Sequence, residues 1–241
     1  MASVKKIKEK DPVILITDSL PSAYSRKREL KRAVKVFDRT KDSVNHFHTV
    51  YKSLGSKQGS PTHVRQDLLR AMIVFTSSGL DALLKQVISD GLSEVIERNS
   101  SAHELFVKFI ERRLKKTDSE IVVADLRFLS EMLGAVDQRH RLIKEYEYDL
   151  TSGSLQSKEE IYRVLNAFAV PNHEVIQKSE EKTVEEFFST RNEIIHEMDI
   201  EFSDSTKSNT RKRRSDDVSR RCVSMFKLMK LFLDNVLKAI Y

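Results

Sequence analysis

Apolar residues recur along this chain at three- and four-residue steps and seldom in alternation, so the pattern predicts helices rather than strands. A first helix is predicted over 23–54, where Leu30, Val34, Phe37, Val44, Phe47 and Val50 form a narrow stripe among many charges. Gly55 to Pro61 reads as a turn. The next helix, about 62–99, is apolar around more than half its circumference, with Leu68, Leu69, Met72, Ile73, Phe75, Leu80, Leu83, Leu84, Val87 and Ile88. Such a helix belongs at the centre of a bundle. Ser100 and Ser101 are set to cap a helix over 101–114, with Glu104 three residues after Ser101 as its capping-box partner. A further helix is expected over 121–133. Residues 134–157 carry no clean period, because Gly134, Gly153 and the stretch Tyr146-Glu147-Tyr148-Asp149 interrupt it. A short helix over 157–168 is stopped by Pro171. Thr183, followed three residues later by Glu186, reads as the cap of a helix over 184–198, and the last helix runs over 218–241.

The fold class is therefore all-α. Residues 1–22 read as a tail, with 13–16 able to pack, and 23–241 as one helical domain. The polar stretch 202–217, which carries Arg211, Lys212, Arg213 and Arg214, reads as a mobile loop.

Composition narrows the class further. Only 6 Gly and 4 Pro occur in 241 residues, and 32% of the chain is charged, which suits helices. A net charge of +6 is compatible with a polyanionic partner without requiring one. The single cysteine, Cys222, excludes an intrachain disulfide framework and points to a reducing cytoplasm. No run approaches the roughly 18 apolar residues of a membrane span, so no membrane partner is expected.

Candidate chemistry is concentrated in Arg191-Asn192-Glu193-Ile194-Ile195-His196. Wound at about 100° per residue, the helix gathers Val184, Phe187, Phe188, Ile194, Ile195 and Met198 into one apolar stripe, and Arg191 falls inside it. A guanidinium there must find a partner, snorkel, or look into a cleft or subunit interface. An ion pair with Glu186 is one such partner. Asn192 and His196 lie four residues apart, on one side of the helix, at the edge of the stripe.

This RNxxxH pattern in its helical setting resembles the signature of the HEPN superfamily, whose α-helical domains dimerise and often cut RNA. The likeness is specific over 183–199 and architectural over 62–241. It implies a HEPN-type helical bundle with extra helices, the helix at 23–54 being an addition or a displaced family element. It also implies a homodimer that juxtaposes two motif helices, RNA as the partner, and an antitoxin or other regulatory protein in the manner of toxins and antiviral effectors.

Metal-independent RNA cleavage needs a base for the ribose 2′-OH, an acid for the leaving 5′-oxygen and a cation for the phosphorane. His196 is the natural acid/base, since imidazole is the side chain that ordinarily titrates near neutrality. Arg191 is the natural clamp, its planar fork matching two phosphate oxygens. Asn192 would orient His196 or the backbone. One His cannot readily serve both proton transfers, and a dimer would supply a second.

The resemblance also suggests Asp81, on the central helix, as a partner for Arg191; an exposed Asp at the stripe edge is the alternative. Glu197 and Asp199 read as solvating the helix end, with Glu197 a supporting candidate. The cluster 211–214 is the best of the basic runs for RNA, the others being 5–10, 26–32 and 112–116. No metal or cofactor is expected. His46 and His48 do not share a helical face, and no G-x-x-x-x-G-K loop occurs. The alternative function is a catalytically silent helical module that binds RNA, a nucleotide or a protein.

Overall fold

The computed structural model describes residues 14–55, 63–115, 134, 137–201 and 209–241. The chain is an all-α bundle of eight α-helices among the described residues, with one two-residue antiparallel ribbon. In chain order the helices are α1 (Lys31–Ser53), α2 (His63–Arg98), α3 (Ser100–Lys115), α4 (Gln138–Thr151), α5 (Lys158–Ala167), α6 (Asn172–Val175), α7 (Glu181–His196) and α8 (Ser215–Ile240). The helix expected over 121–133 lies outside the described residues.

Helix α2 is central, as its all-round apolar pattern requires. It packs against α1, α3, α4, α5, α7 and α8, and its buried residues run from Gln66 and Leu69 to Val95 and Ile96. By length and composition α2 could cross a membrane, yet half of its most apolar window is buried inside the bundle. Its apolar surface is already used by its neighbours.

The longest of these contacts is with α1, which turns Ala33, Val34, Phe37, Val44 and Tyr51 inward. There the helices approach so closely that a Cβ on Gly79 would fall 2.3 Å from the Thr40 side chain. Thr40 cannot easily yield, because it is buried and its hydroxyl donates to the Val36 carbonyl at 2.7 Å. Gly79→Ala is expected to cost about 1–3 kcal/mol, the range for overpacking, despite the better helix propensity of Ala. Urea denaturation of the two chains checks this; equal midpoints would contradict it.

Where sequence pattern and structure differ, a tertiary contact or an unread cap is the cause. The first helix begins at Lys31 rather than 23. A 3₁₀ turn at Tyr24–Arg26 precedes it, and Tyr24 donates to Asp234 of α8 while Tyr241 donates to Glu29 at 3.3 Å. The preceding tail is packed in part: Ile16 is buried, and the Leu15 and Ile16 amides donate to Asn45 at 3.0 and 2.8 Å. Asn99, not Ser100 or Ser101, caps α3, accepting from the Ala102 amide at 3.1 Å. Helix α4 spans the stretch that carried no clean period. Asp137 caps it by accepting from the His140 amide, and Ile143, Tyr146 and Leu150 turn inward.

Two buried groups set a pH dependence. Burial pushes the Cys222 thiol up to about 12 and likewise raises the Tyr146 hydroxyl to about 12. Both therefore keep protons in the folded state that the unfolded chain releases from about pH 9 or 10. Stability is expected to hold up to about pH 8.5 and to decline as pH rises toward 12, with Cys222→Ala flattening the decline. Urea midpoints at pH 8 and 10.5 check this; a midpoint that rises with pH would contradict it.

Candidate functional site

The motif helix α7 runs from Glu181, one turn earlier than the Thr183 cap suggested, and Glu180 stands at its start without a side-chain cap. Val184, Phe187, Phe188 and Ile194 of its apolar stripe are buried against the bundle. The rest of the stripe is not: Ile195 is 38% and Met198 72% exposed. Arg191 sits at the boundary between the two parts, half-buried.

Arg191 Nη1 donates to Asn192 Oδ1 at 2.9 Å, its Nε is enclosed without a hydrogen-bond partner, and no carboxylate pairs with it among the described residues. The expected partner Glu186 is engaged elsewhere. It meets Arg221 of α8 at 3.3 Å and Lys182 at 3.8 Å, and Arg221 also donates to the Glu186 carbonyl at 2.9 Å and to Thr190. Arg191 is thus left with a neutral amide as its hydrogen-bonding partner. An enclosed guanidinium Nε with no acceptor is a costly arrangement for a side chain in the monomer.

Asn192 and His196 are both exposed, and they open into a cleft of about 540 Å³ between α7 and the start of α5. Glu185, Glu193 and Glu197 share their wall, and Ser157, Lys158 and Glu159 form the facing one. Arg191 is not in that lining and meets the pair through Asn192. The facing wall begins with the cap of α5: Ser157 accepts from the Glu160 amide at 3.1 Å.

Asp81 does not reach Arg191. It pairs with Lys85 at 3.1 Å and accepts from the Leu155 amide at 2.7 Å. Leu155 lies two residues before Ser157, so Asp81 serves the site only by fixing the strand of chain that forms the facing wall.

The end of the motif helix holds the feature that the sequence reading missed. Met198 and Asp199 both adopt left-handed backbone, φ 51° and 58°, an unusual conformation for residues with side chains. The turn ends α7 and sends Asp199 inward. Far from solvating the helix end, Asp199 is fully buried. Its carboxylate accepts from Arg70 Nε of α2 at 2.8 Å and from Arg213 Nε at 3.2 Å, with a second, shorter bond from Arg213 Nη2. Arg213 Nη2 also meets Glu193 at 2.6 Å, and Gln66 of α2 holds the Arg213 backbone through both its amide and its carbonyl. Burial pulls the Arg213 pKa down, but the hydrogen bonds to Asp199 and Glu193 outweigh it and the net direction is up.

This network corrects the reading of the 209–217 part of the segment as a mobile loop. Residues 202–208 lie outside the described residues. The remainder is built in: Asn209–Thr210 pairs with Ile200–Glu201, and α8 begins at Ser215. Arg211 is held by Glu197 at 2.9 Å and Glu193 at 3.5 Å, which raises its pKa, so Glu197 is an anchor for Arg211 as much as a wall of the cleft. Arg213 is structural. Lys212 and Arg214 are the exposed members of the cluster.

Among the described residues no three His, Cys, Asp or Glu side chains are grouped to hold a metal ion. His46 is exposed and His48 buried, in keeping with their different faces. Comparison of the chain with protein-family models, with curated proteins and with solved structures finds no match, so what the site does rests on its own residues.

Proposed function

We propose that the chain is a metal-independent endoribonuclease of HEPN type, working as a homodimer. The observation that carries this reading is Arg191: half-buried, its Nε enclosed and unpaired, and hydrogen-bonded to Asn192 beside the exposed His196. A phosphate would give that guanidinium the anionic partner it lacks. His196 would take the 2′-OH proton, and a second His196 would protonate the 5′-oxygen, leaving a 2′,3′-cyclic phosphate and a 5′-hydroxyl. RNA is the partner, and a toxin or antiviral role with a neutralising protein fits such an activity.

The dimer is supported by what α7 leaves exposed. Ile195 and Met198 extend the buried stripe into solvent next to Arg191. A two-fold contact on this strip would bring two Arg191 and two His196 near one axis. Mixing Arg191→Ala chains with His196→Ala chains should then restore part of the activity that each lacks, through composite sites. No recovery, together with a monomer at micromolar concentration by light scattering, would contradict the dimer.

A second reading has its own observation. Glu159, Glu185, Glu193 and Glu197 give the cleft more carboxylates than cations, which favours a silent module that takes a basic protein segment there. The two readings part in a cleavage assay with wild-type and His196→Ala chains, since only the first requires the imidazole.

A further inference from the structure

We infer that Lys158 is the cation that receives an RNA phosphate in the cleft beside His196, a role that rests on the ribonuclease reading above. Nothing in the local sequence marks it, because a lysine in the first turn of a short helix ordinarily reads as solvent-facing. The fold gives it a different position. Lys158 lines the same cleft as Asn192 and His196, and it is the only Lys or Arg in that lining among the described residues.

The other cations near the motif lie outside that lining. Arg213 is tied to buried Asp199, Arg211 to Glu193 and Glu197, and Arg191 does not line the cleft. A nucleic-acid strand laid across His196 therefore meets Lys158 as the cation inside the cleft, at a phosphate other than the one that Arg191 would hold at the cleft's edge. Without it, the cleft would present four carboxylates to an anionic ligand.

Lys158 is partly covered, with its side chain 16% exposed, and its ammonium sits between Glu181 at 3.3 Å and Glu185. The hydrogen bond to Glu185 raises its pKa, which keeps the charge in place. The two carboxylates are themselves 37% and 53% exposed, and pairs of this kind are weak because solvent screens them. An ammonium has three protons to donate, so it can keep one carboxylate and give another proton to a phosphate oxygen. Glu185, which also lines the cleft, is then the group that RNA must displace.

If Lys158 merely ties α5 to α7, breaking the pair from either side has the same consequence. If Lys158 binds phosphate and Glu185 competes for it, the two substitutions act in opposite directions. The test is binding of a short single-stranded RNA by the full chain in a His196→Ala background, across a salt series. Lys158→Met is expected to weaken binding by roughly tenfold and to lower the salt slope of log affinity by about 0.7, as for one lost phosphate contact. Lys158→Arg should retain binding, and Glu185→Gln should tighten it several-fold only while Lys158 is present, with no tightening by Glu185→Gln in a Lys158→Met chain. Loss of binding in both Lys158→Met and Glu185→Gln, or no change in either, overturns the inference. In that case cleavage that still depends on His196 leaves the ribonuclease reading standing, whereas absence of RNA binding and cleavage in every chain removes both.

Discussion

Asp199→Ala is expected to destabilise the chain by about 3–5 kcal/mol, the cost of leaving buried cations without their partner. The carboxylate is fully buried, and it joins Arg70 on α2 to Arg213 ahead of α8 at the point where the motif helix ends. Removing it leaves two guanidiniums whose side chains are only 13% and 16% exposed. Each keeps a second carboxylate, Asp67 for Arg70 and Glu193 for Arg213, which places the expected loss toward the lower end. The left-handed backbone adds to it, because Asp tolerates positive φ better than Ala does. A chain of this size should then melt roughly 10 °C lower. Lys212→Ser and Arg214→Gln, which remove exposed charges from the same segment, should each stay within about 0.5 kcal/mol of the parent. Calorimetry on the three chains separates the cases, and an Asp199→Ala loss below about 1 kcal/mol would mean that the network contributes little.

The second large effect is catalytic. Arg191→Ala and His196→Ala are each expected to lower RNA cleavage at least about a hundredfold, the scale for removing a charge-stabilising group or an acid/base. The two should differ in stability. His196 is exposed and its loss should leave folding unchanged, while Arg191 has an enclosed Nε without a partner, so its removal should cost nothing or stabilise. Fully folded but inactive chains would locate the defect in chemistry. Single-turnover rates on one RNA, with thermal melts of the same preparations, give both quantities.

What was legible in the sequence follows from where each interaction closes. Apolar period acts within one or two turns, so α2, α5 and most of α8 could be placed from spacing alone. Helix α4 was also written in the spacing of Ile143, Tyr146 and Leu150, but the two tyrosines and flanking carboxylates of 146–149 obscured it. Asp199 was not legible. Its partner Arg70 is 129 residues away, and a carboxylate after Glu197 looks like every other solvated helix end. The same distance rule explains the basic cluster: Arg211 and Arg213 are indistinguishable in sequence from Lys212 and Arg214 until the turn at Met198 and Asp199 brings Glu193, Glu197 and Asp199 beneath them. At the motif, the sequence placed Asn192 and His196 on one face, and both line one cleft. The separation of Arg191 from that cleft depends on how α5 packs against α7, which no local pattern encodes.

The proposed function requires this motif to cut RNA through His196 without a metal ion. Its most direct measurement is incubation of the purified full chain with RNA in excess chelator, with the termini of the products identified and a His196→Ala chain run alongside. The parent chain is expected to give fragments ending in 2′,3′-cyclic phosphate and 5′-hydroxyl, and His196→Ala to leave the RNA intact. RNA left intact by the parent, or cut equally by His196→Ala, would contradict it.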